Sequence, residues 1–166
     1  MASIQEFLRR MNEQGVRYVL IGGYAAILHG SRLLTEDIDA CAPLDQDNLN
    51  RIVRALKDTR PKFRMRPDRM PMPDDPARLA GFRNLNLETT FGVVDILSEV
   101  TGIGGYDEVL RQSEERSLGG EAFRILTLDA LIVAKRAAGR RKDVRGVEEL
   151  ERIKRSLEGP PPAPGA

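Results

Sequence analysis

Val16-Arg17-Tyr18-Val19-Leu20-Ile21-Gly22-Gly23-Tyr24-Ala25 opens as an apolar run and closes on a pair of glycines. The chain continues through His29-Gly30-Ser31-Arg32 to Thr35-Glu36-Asp37-Ile38-Asp39, where two carboxylates stand at i and i+2. Residues 16–21, rich in Val, Ile, Leu and Tyr, predict a strand buried on both faces. Gly22 and Gly23 permit a sharp turn, and Tyr24–His29 predict a short helix whose free N–H groups face that turn. A second strand over Asp37–Ala42, closed by Pro43, would carry Asp37 and Asp39 on one face and Ile38 and Ala40 on the other. Strand, glycine turn, helix and paired carboxylates form a layout suited to phosphate and a metal ion.

Around this stretch the periodicity is mostly helical. Ser3 and Glu6 make a capping-box pattern, with Ile4, Phe7, Leu8 and Met11 on one face of a first helix and Gly15 as its stop. Leu49, Ile52, Val53 and Leu56 predict a helix over about 45–58. Residues 60–76, rich in Pro, Met and Arg, read as an irregular loop. Leu85 and Leu87 alternate with Asn84 and Asn86, and Val93-Val94-Asp95-Ile96-Leu97 follows a bend near Gly92, which predicts two strands joined by a tight turn. A helix over 106–112 and a weak strand over 123–126 come next. Thr127 caps a helix on which Leu128, Leu131, Ile132 and Lys135 share the inward stripe. A final helix from about Asp143 would bury Val144, Val147, Leu150, Ile153 and Leu157. The expected organisation is one α/β domain over 1–158, with a short mixed sheet, helices mainly on one face and C-terminal helices walling a cleft. A Pro-rich tail over 159–166 is expected to be unstructured.

The 166 residues suit a single domain, since domains commonly run about 100 to 200 residues, and 41% apolar content suffices for a core. Lys plus Arg number 26 and Asp plus Glu 25, a net charge of +1 that offers no global attraction to nucleic acid or membrane. A polyanion site would therefore be a local patch. Cys41 is the single cysteine, which excludes an intrachain disulfide and a cysteine-based zinc site and suits a reducing, cytoplasmic setting. No long apolar run suggests a membrane span, and the N-terminus lacks a signal-peptide layout.

Asp95 is the anomaly, because an apolar strand seldom carries an ionised side chain without a partner. It supplies what a two-metal phosphoryl-transfer site lacks so far, with Asp37 and Asp39 bridging Mg²⁺ (or Mn²⁺) ions and Asp95 holding the second metal and taking or orienting the nucleophile's proton. Gly22 and Gly23 would let a triphosphate approach the backbone, with the next helix N-terminus adding partial positive charge. Together Gly22-Gly23, Asp37-x-Asp39 and Asp95 resemble the nucleotidyltransferase superfamily of the DNA polymerase β type, in its minimal branch. Gly30-x-Arg32-x-x-Thr35-x-Asp37-Ile38-Asp39 resembles the version in AbiEii-type toxins, related bacterial proteins and some antibiotic-modifying nucleotidyltransferases, and Lys135-x-x-x-Gly139-Arg140-x-Lys142-Asp143 is similar to a later segment of that branch.

The resemblance covers roughly residues 16–145. It implies Mg²⁺-dependent transfer of a nucleoside monophosphate from an NTP to a hydroxyl, with Asp37, Asp39 and Asp95 as catalytic and metal-binding residues and Gly22, Gly23, Arg32, Thr35 and Lys135 at the nucleotide. Many members have Gly-Ser where this chain has Gly22-Gly23, so a serine contact to phosphate is missing. The implied acceptors are an RNA (tRNA) end or a protein hydroxyl, as in toxin–antitoxin pairs with a partner protein, or a small antibiotic. A non-catalytic nucleotide- or partner-binding module of the same fold is the alternative.

Two basic clusters could serve an RNA backbone, Arg60, Lys62, Arg64, Arg66 and Arg69 in the loop, and Lys135, Arg136, Arg140, Arg141, Lys142 and Arg145 between the last helices. The second adjoins Lys135 and would face the cleft, whereas for the first a solvated surface serves as well. His29 reads as a helix-closing residue, Cys41 and Tyr24 as packing residues, and Asp143 as either a helix N-terminal residue or a site residue.

Overall fold

The computed structural model of the chain describes residues 3–160 and 162–165. Met1, Ala2 and, in the proline-rich tail, Pro161 and Ala166 lie outside the described residues, while the described tail residues are exposed and carry no helix or strand. The strands are β1 (Val19–Ile21), β2 (Ile38–Cys41), β3 (Lys62–Phe63), β4 (Asn84–Thr89), β5 (Gly92–Leu97), β6 (Glu99–Val100), β7 (Gly104–Gly105), β8 (Ser113–Leu118) and β9 (Glu121–Leu126). The helices are α1 (Ile4–Glu13), α2 (Gly22–Leu28), α3 (Gln46–Leu56), α4 (Tyr106–Arg111), α5 (Leu128–Ala138) and α6 (Arg141–Glu158).

Seven of these strands form one mixed sheet in the order β3-β4-β5-β2-β1-β9-β8, and β6 pairs with β7 in a separate ribbon. At its centre β2 runs parallel to β5 and antiparallel to β1, while β1 runs parallel to β9. Register then sorts the side chains by face. Leu85, Ile96, Ala40, Leu20 and Ile125 are successive cross-strand partners and all are fully buried. One residue along, the partners are Asn86, Asp95, Asp39 and Ile21, so the opposite face carries a polar row through the middle of the sheet.

The expected elements are present with shifted boundaries. α1 starts from Ser3, whose hydroxyl accepts from the Glu6 amide at 3.3 Å, but the Glu6 carboxylate binds Arg9 and Arg10 instead of completing the capping box. The first strand begins at Val19, later than Val16, and Asp37 lies just ahead of β2. The segment read as an irregular loop contains the short edge strand β3, and the weak strand is one arm of a full β8–β9 hairpin. On α6, Leu150 and Ile153 are buried, but Val144 and Leu157 are 58% and 73% exposed, because the buried stripe of this helix runs through Asp143, Gly146, Leu150 and Ile153 and leaves Val144 and Leu157 outside it.

Asn48, fully buried on α3, fastens the segments that flank β1 and β2. Its side chain accepts from the Arg17 amide at 2.9 Å, ahead of β1, and donates to the Arg17 and Pro43 carbonyls at 3.1 and 2.7 Å, beyond β2. Leaving such buried groups without partners costs about 1–3 kcal/mol. Asn48→Ala is expected to lower unfolding free energy by about that amount, read as a lower urea midpoint at an unchanged slope.

Candidate active site

The polar row crosses β4, β5 and β2 and reaches the turn where β1 ends and α2 begins. Asp39 and Asp95 are direct partners on parallel strands, which places their backbones about 4.8 Å apart and their side chains on one face. Asp95 is 7% exposed. It accepts from Arg64 twice, Nε to Oδ1 at 3.2 Å and Nη2 to Oδ2 at 2.5 Å, and from Asn86 Nδ2 at 3.0 Å. The buried carboxylate that looked unpartnered in the sequence is thus satisfied by an arginine, in a bidentate pairing that fixes both oxygens.

Asp39 has no such partner. Burial, then the neighbouring charges of Asp95 and Asp37, push its carboxyl up to about 7, against a weaker opposing pull from Lys135 and Arg64. Gly22 explains how the carboxylate fits: its φ is +68°, and a Cβ there would lie 2.4 Å from Asp39 Oδ2. At Gly23 a Cβ would lie 2.5 Å from Thr35 Oγ1, whose hydroxyl donates to the Asp37 carbonyl at 3.3 Å. The glycine pair therefore makes room for the side chains of the Asp-x-Asp segment, a reason distinct from the expected approach of a triphosphate to the backbone.

The far wall comes from α5 and α6. Gly139, at φ +61°, ends α5 and turns the chain so that Lys135 and Arg140 converge on buried Asp143, at 3.5 and 2.7 Å. Asp143 is thus both a first-turn helix residue and the anchor of two cations beside the site. Gly146 leaves space for the stem of Lys135, whose Cε lies 3.4 Å from where a Cβ would be. Glu149 accepts from the Arg32 amide at 2.8 Å and tethers the loop before β2 to α6.

Two cavities open on either side of Asp39, Lys135 and Arg140, which line both. The larger, about 590 Å³, is bounded by Gly23, Ser31, Arg32, Thr35, Lys142 and Arg145, with Leu33, Leu34 and Leu150 as apolar lining. Arg32, Lys142 and Arg145 have no ion-pair partner among the described residues. The smaller, about 360 Å³, lies over Gly22, Asn86, Asp95 and Arg64.

The candidate residues thus converge, but the expected three-carboxylate metal centre is not assembled: among the described residues no group of three Asp, Glu, His or Cys side chains could hold an ion. Asp95 is also already neutralised by Arg64. Mg²⁺ is commonly bound through one or two carboxylates plus waters and substrate phosphates, and Asp37 with the uncompensated Asp39 fits that smaller donor set. The first basic cluster is also redistributed, since Arg64 is taken by Asp95, Arg66 by Asp68 and the Phe63 ring, and Arg69 by Glu88. The sequence left Arg64 between an RNA-backbone role and a solvated surface, placed Arg140 in the cleft-facing cluster, and gave Asn86 no role at the site; the polar alternation Asn84-x-Asn86 was the one available signal for it. His29 caps α2, with Nε2 2.8 Å from the Leu126 carbonyl, and Cys41 and Tyr24 are core residues.

Comparison with known proteins agrees with this geometry. Residues 88–159 match the sequence model of the family described as "Nucleotidyl transferase of unknown function (DUF2204)", a span that includes Asp95, Lys135 and Asp143. The lincosamide antibiotic adenylyltransferase LnuA, solved with lincomycin bound, superposes with a TM-score of 0.62 at 14% identity over 92% of this chain and 98% of its own. An antigenic nucleotidyltransferase-like protein from Paracoccidioides brasiliensis superposes with a TM-score of 0.53 at 16% identity over 92% of this chain and 78% of its own. No curated protein matches by sequence. The chain has the fold of these nucleotidyltransferases, and over residues 88–159 its sequence is similar to that family model.

A carboxyl whose pKa is higher folded than unfolded binds its proton more tightly in the folded state. Its stabilisation is complete below the unfolded value, about 4, and is lost as pH rises through the folded value, about 7 for Asp39. The melting temperature of the metal-free protein is therefore expected to fall between these pH values more steeply than that of Asp39→Asn; parallel curves would show that Asp39 is not the group responsible.

Proposed function

We propose that the chain transfers a nucleoside monophosphate from an NTP to a hydroxyl acceptor and releases pyrophosphate. The observation that supports this most is the pairing of an uncompensated Asp39 with a cavity of about 590 Å³ whose rim presents the unpaired cations Arg32, Lys142 and Arg145. A triphosphate is the ligand that meets both demands, neutralising the cations and bringing an ion to the carboxylates.

In this reading the triphosphate lies against Arg32, Lys142 and Arg145, with Gly23 and Thr35 beneath it and with Lys135 and Arg140, held by Asp143, lining the same cavity. A divalent ion held by Asp37 and Asp39 would supply charge neutralisation at the α-phosphate. Asp95, oriented by Arg64 and Asn86, faces the smaller cavity, where it takes the acceptor's hydroxyl proton as the oxygen attacks the α-phosphorus and the bond to pyrophosphate breaks. A single buried cysteine and an NTP substrate suit the cytoplasm, and among the described residues no helix is long and apolar enough to cross a membrane. A toxin–antitoxin role with a partner protein rests on the resemblance of Gly30–Asp39 alone. The second reading, a nucleotide-binding module without catalysis, draws on the capture of Asp95 by Arg64.

The two readings separate in one assay. With each NTP labelled in the α-phosphate, Mg²⁺ and an unfractionated lysate, the wild type is expected to transfer label, and Asp37→Ala to lose at least about 100-fold of that rate. NTP binding without transfer by the wild type would favour the binding module.

A further inference from the structure

We infer that the acceptor is a small, apolar-bodied alcohol carrying a positive charge, bound in the smaller cavity; this rests on the transfer reading above. The cavity adjoins the reacting row directly, because Asp39 and Asp95 both line it. Its volume of about 360 Å³ falls in the range of small-molecule sites, about 300–1,000 Å³. Leu97, Val100, Leu126, Leu131 and Ala134 give it an apolar lining, the composition expected where a compact organic molecule is desolvated.

Charge decides between this acceptor and a nucleic-acid end. Three cations line the cavity, yet each is already committed: Arg64 to Asp95, and Lys135 and Arg140 to Asp143. With Asp39 assigned to the ion and Asp95 to Arg64, the acid left over is Glu99, which is exposed on β6 and has no ion-pair partner among the described residues. A phosphodiester next to the reacting hydroxyl would meet Glu99 and no side-chain cation that is free, whereas RNA affinity comes mainly from neutralising phosphates. Of the loop cations that could have extended an RNA track, Arg66 and Arg69 are paired with Asp68 and Glu88, and Arg60 and Lys62 do not line this cavity. A cationic amine, by contrast, finds Glu99 at the rim while its hydroxyl reaches Asp95 and its body covers the apolar lining. Attack by that hydroxyl forms a P–O bond to the nucleoside monophosphate, the α–β phosphoanhydride bond breaks, pyrophosphate leaves, and the proton passes to Asp95.

The test divides one bacterial lysate into dialysable solutes, RNA and protein, and incubates each with the full chain, Mg²⁺ and NTP labelled in the α-phosphate. Label is expected in a dialysable product whose acceptor, released by phosphodiesterase, binds a cation-exchange resin. Glu99→Gln is expected to raise KM for that acceptor about 5-fold and leave KM for NTP unchanged. Ala134→Leu, which fills the cavity on α5, should abolish transfer while NTP binding persists. Label confined to RNA or protein, a labelled acceptor without positive charge, or an unchanged KM in Glu99→Gln would each overturn the assignment and leave nucleotidyl transfer standing. No label in any fraction would remove the transfer reading together with it.

Discussion

Two carboxylates placed side by side on neighbouring parallel strands repel one another, and the structure around Asp39 and Asp95 is arranged to tolerate that repulsion. The two are treated differently. Asp95 receives a bidentate arginine and an asparagine, so its charge is neutralised by the protein itself. Asp39 receives only a space, made by the missing side chain of Gly22, and the distant fields of Lys135 and Arg64. Groups whose protonation is displaced by burial and like charge gather at functional sites, and the uncompensated member of this pair lies between the two cavities.

The same asymmetry organises the walls. Cations on the acceptor side are consumed by internal carboxylates, while Arg32, Lys142 and Arg145 on the other side remain unpaired. Asp143 is central to this division, since one buried carboxylate holds both Lys135 and Arg140 in place. Glu149 does the corresponding work for the loop that presents Arg32. The cleft thus has a cationic side fitted to a triphosphate and an apolar, acidic side fitted to something else.

Much of this was legible in the sequence, for identifiable reasons. Gly22-Gly23 and Asp37-x-Asp39 act through local geometry, so their spacing alone brings them together. Asp95 was conspicuous because an acid in Val93–Leu97 breaks an apolar run, and the inward register of Lys135 followed from helical periodicity. Arg64 was not legible, since its partner lies 31 residues away and its own segment has no period. Edge strand β8, Ser-Glu-Glu-Arg-Ser-Leu, escaped notice because an edge strand tolerates and even uses charged side chains. Val144 was grouped with Val147, Leu150 and Ile153 by spacing, whereas the buried stripe at the start of α6 runs through Asp143 and Gly146, which a count of apolar residues passes over.

The central claim is that Asp39 remains uncompensated so that a divalent ion and an NTP can bind together. Binding of Mn²⁺ with a non-hydrolysable NTP analogue, followed by electron paramagnetic resonance, measures this directly. The wild type is expected to immobilise Mn²⁺ only when the analogue is present, and folded Asp39→Asn is expected not to. Equal Mn²⁺ immobilisation by the two proteins would contradict the account.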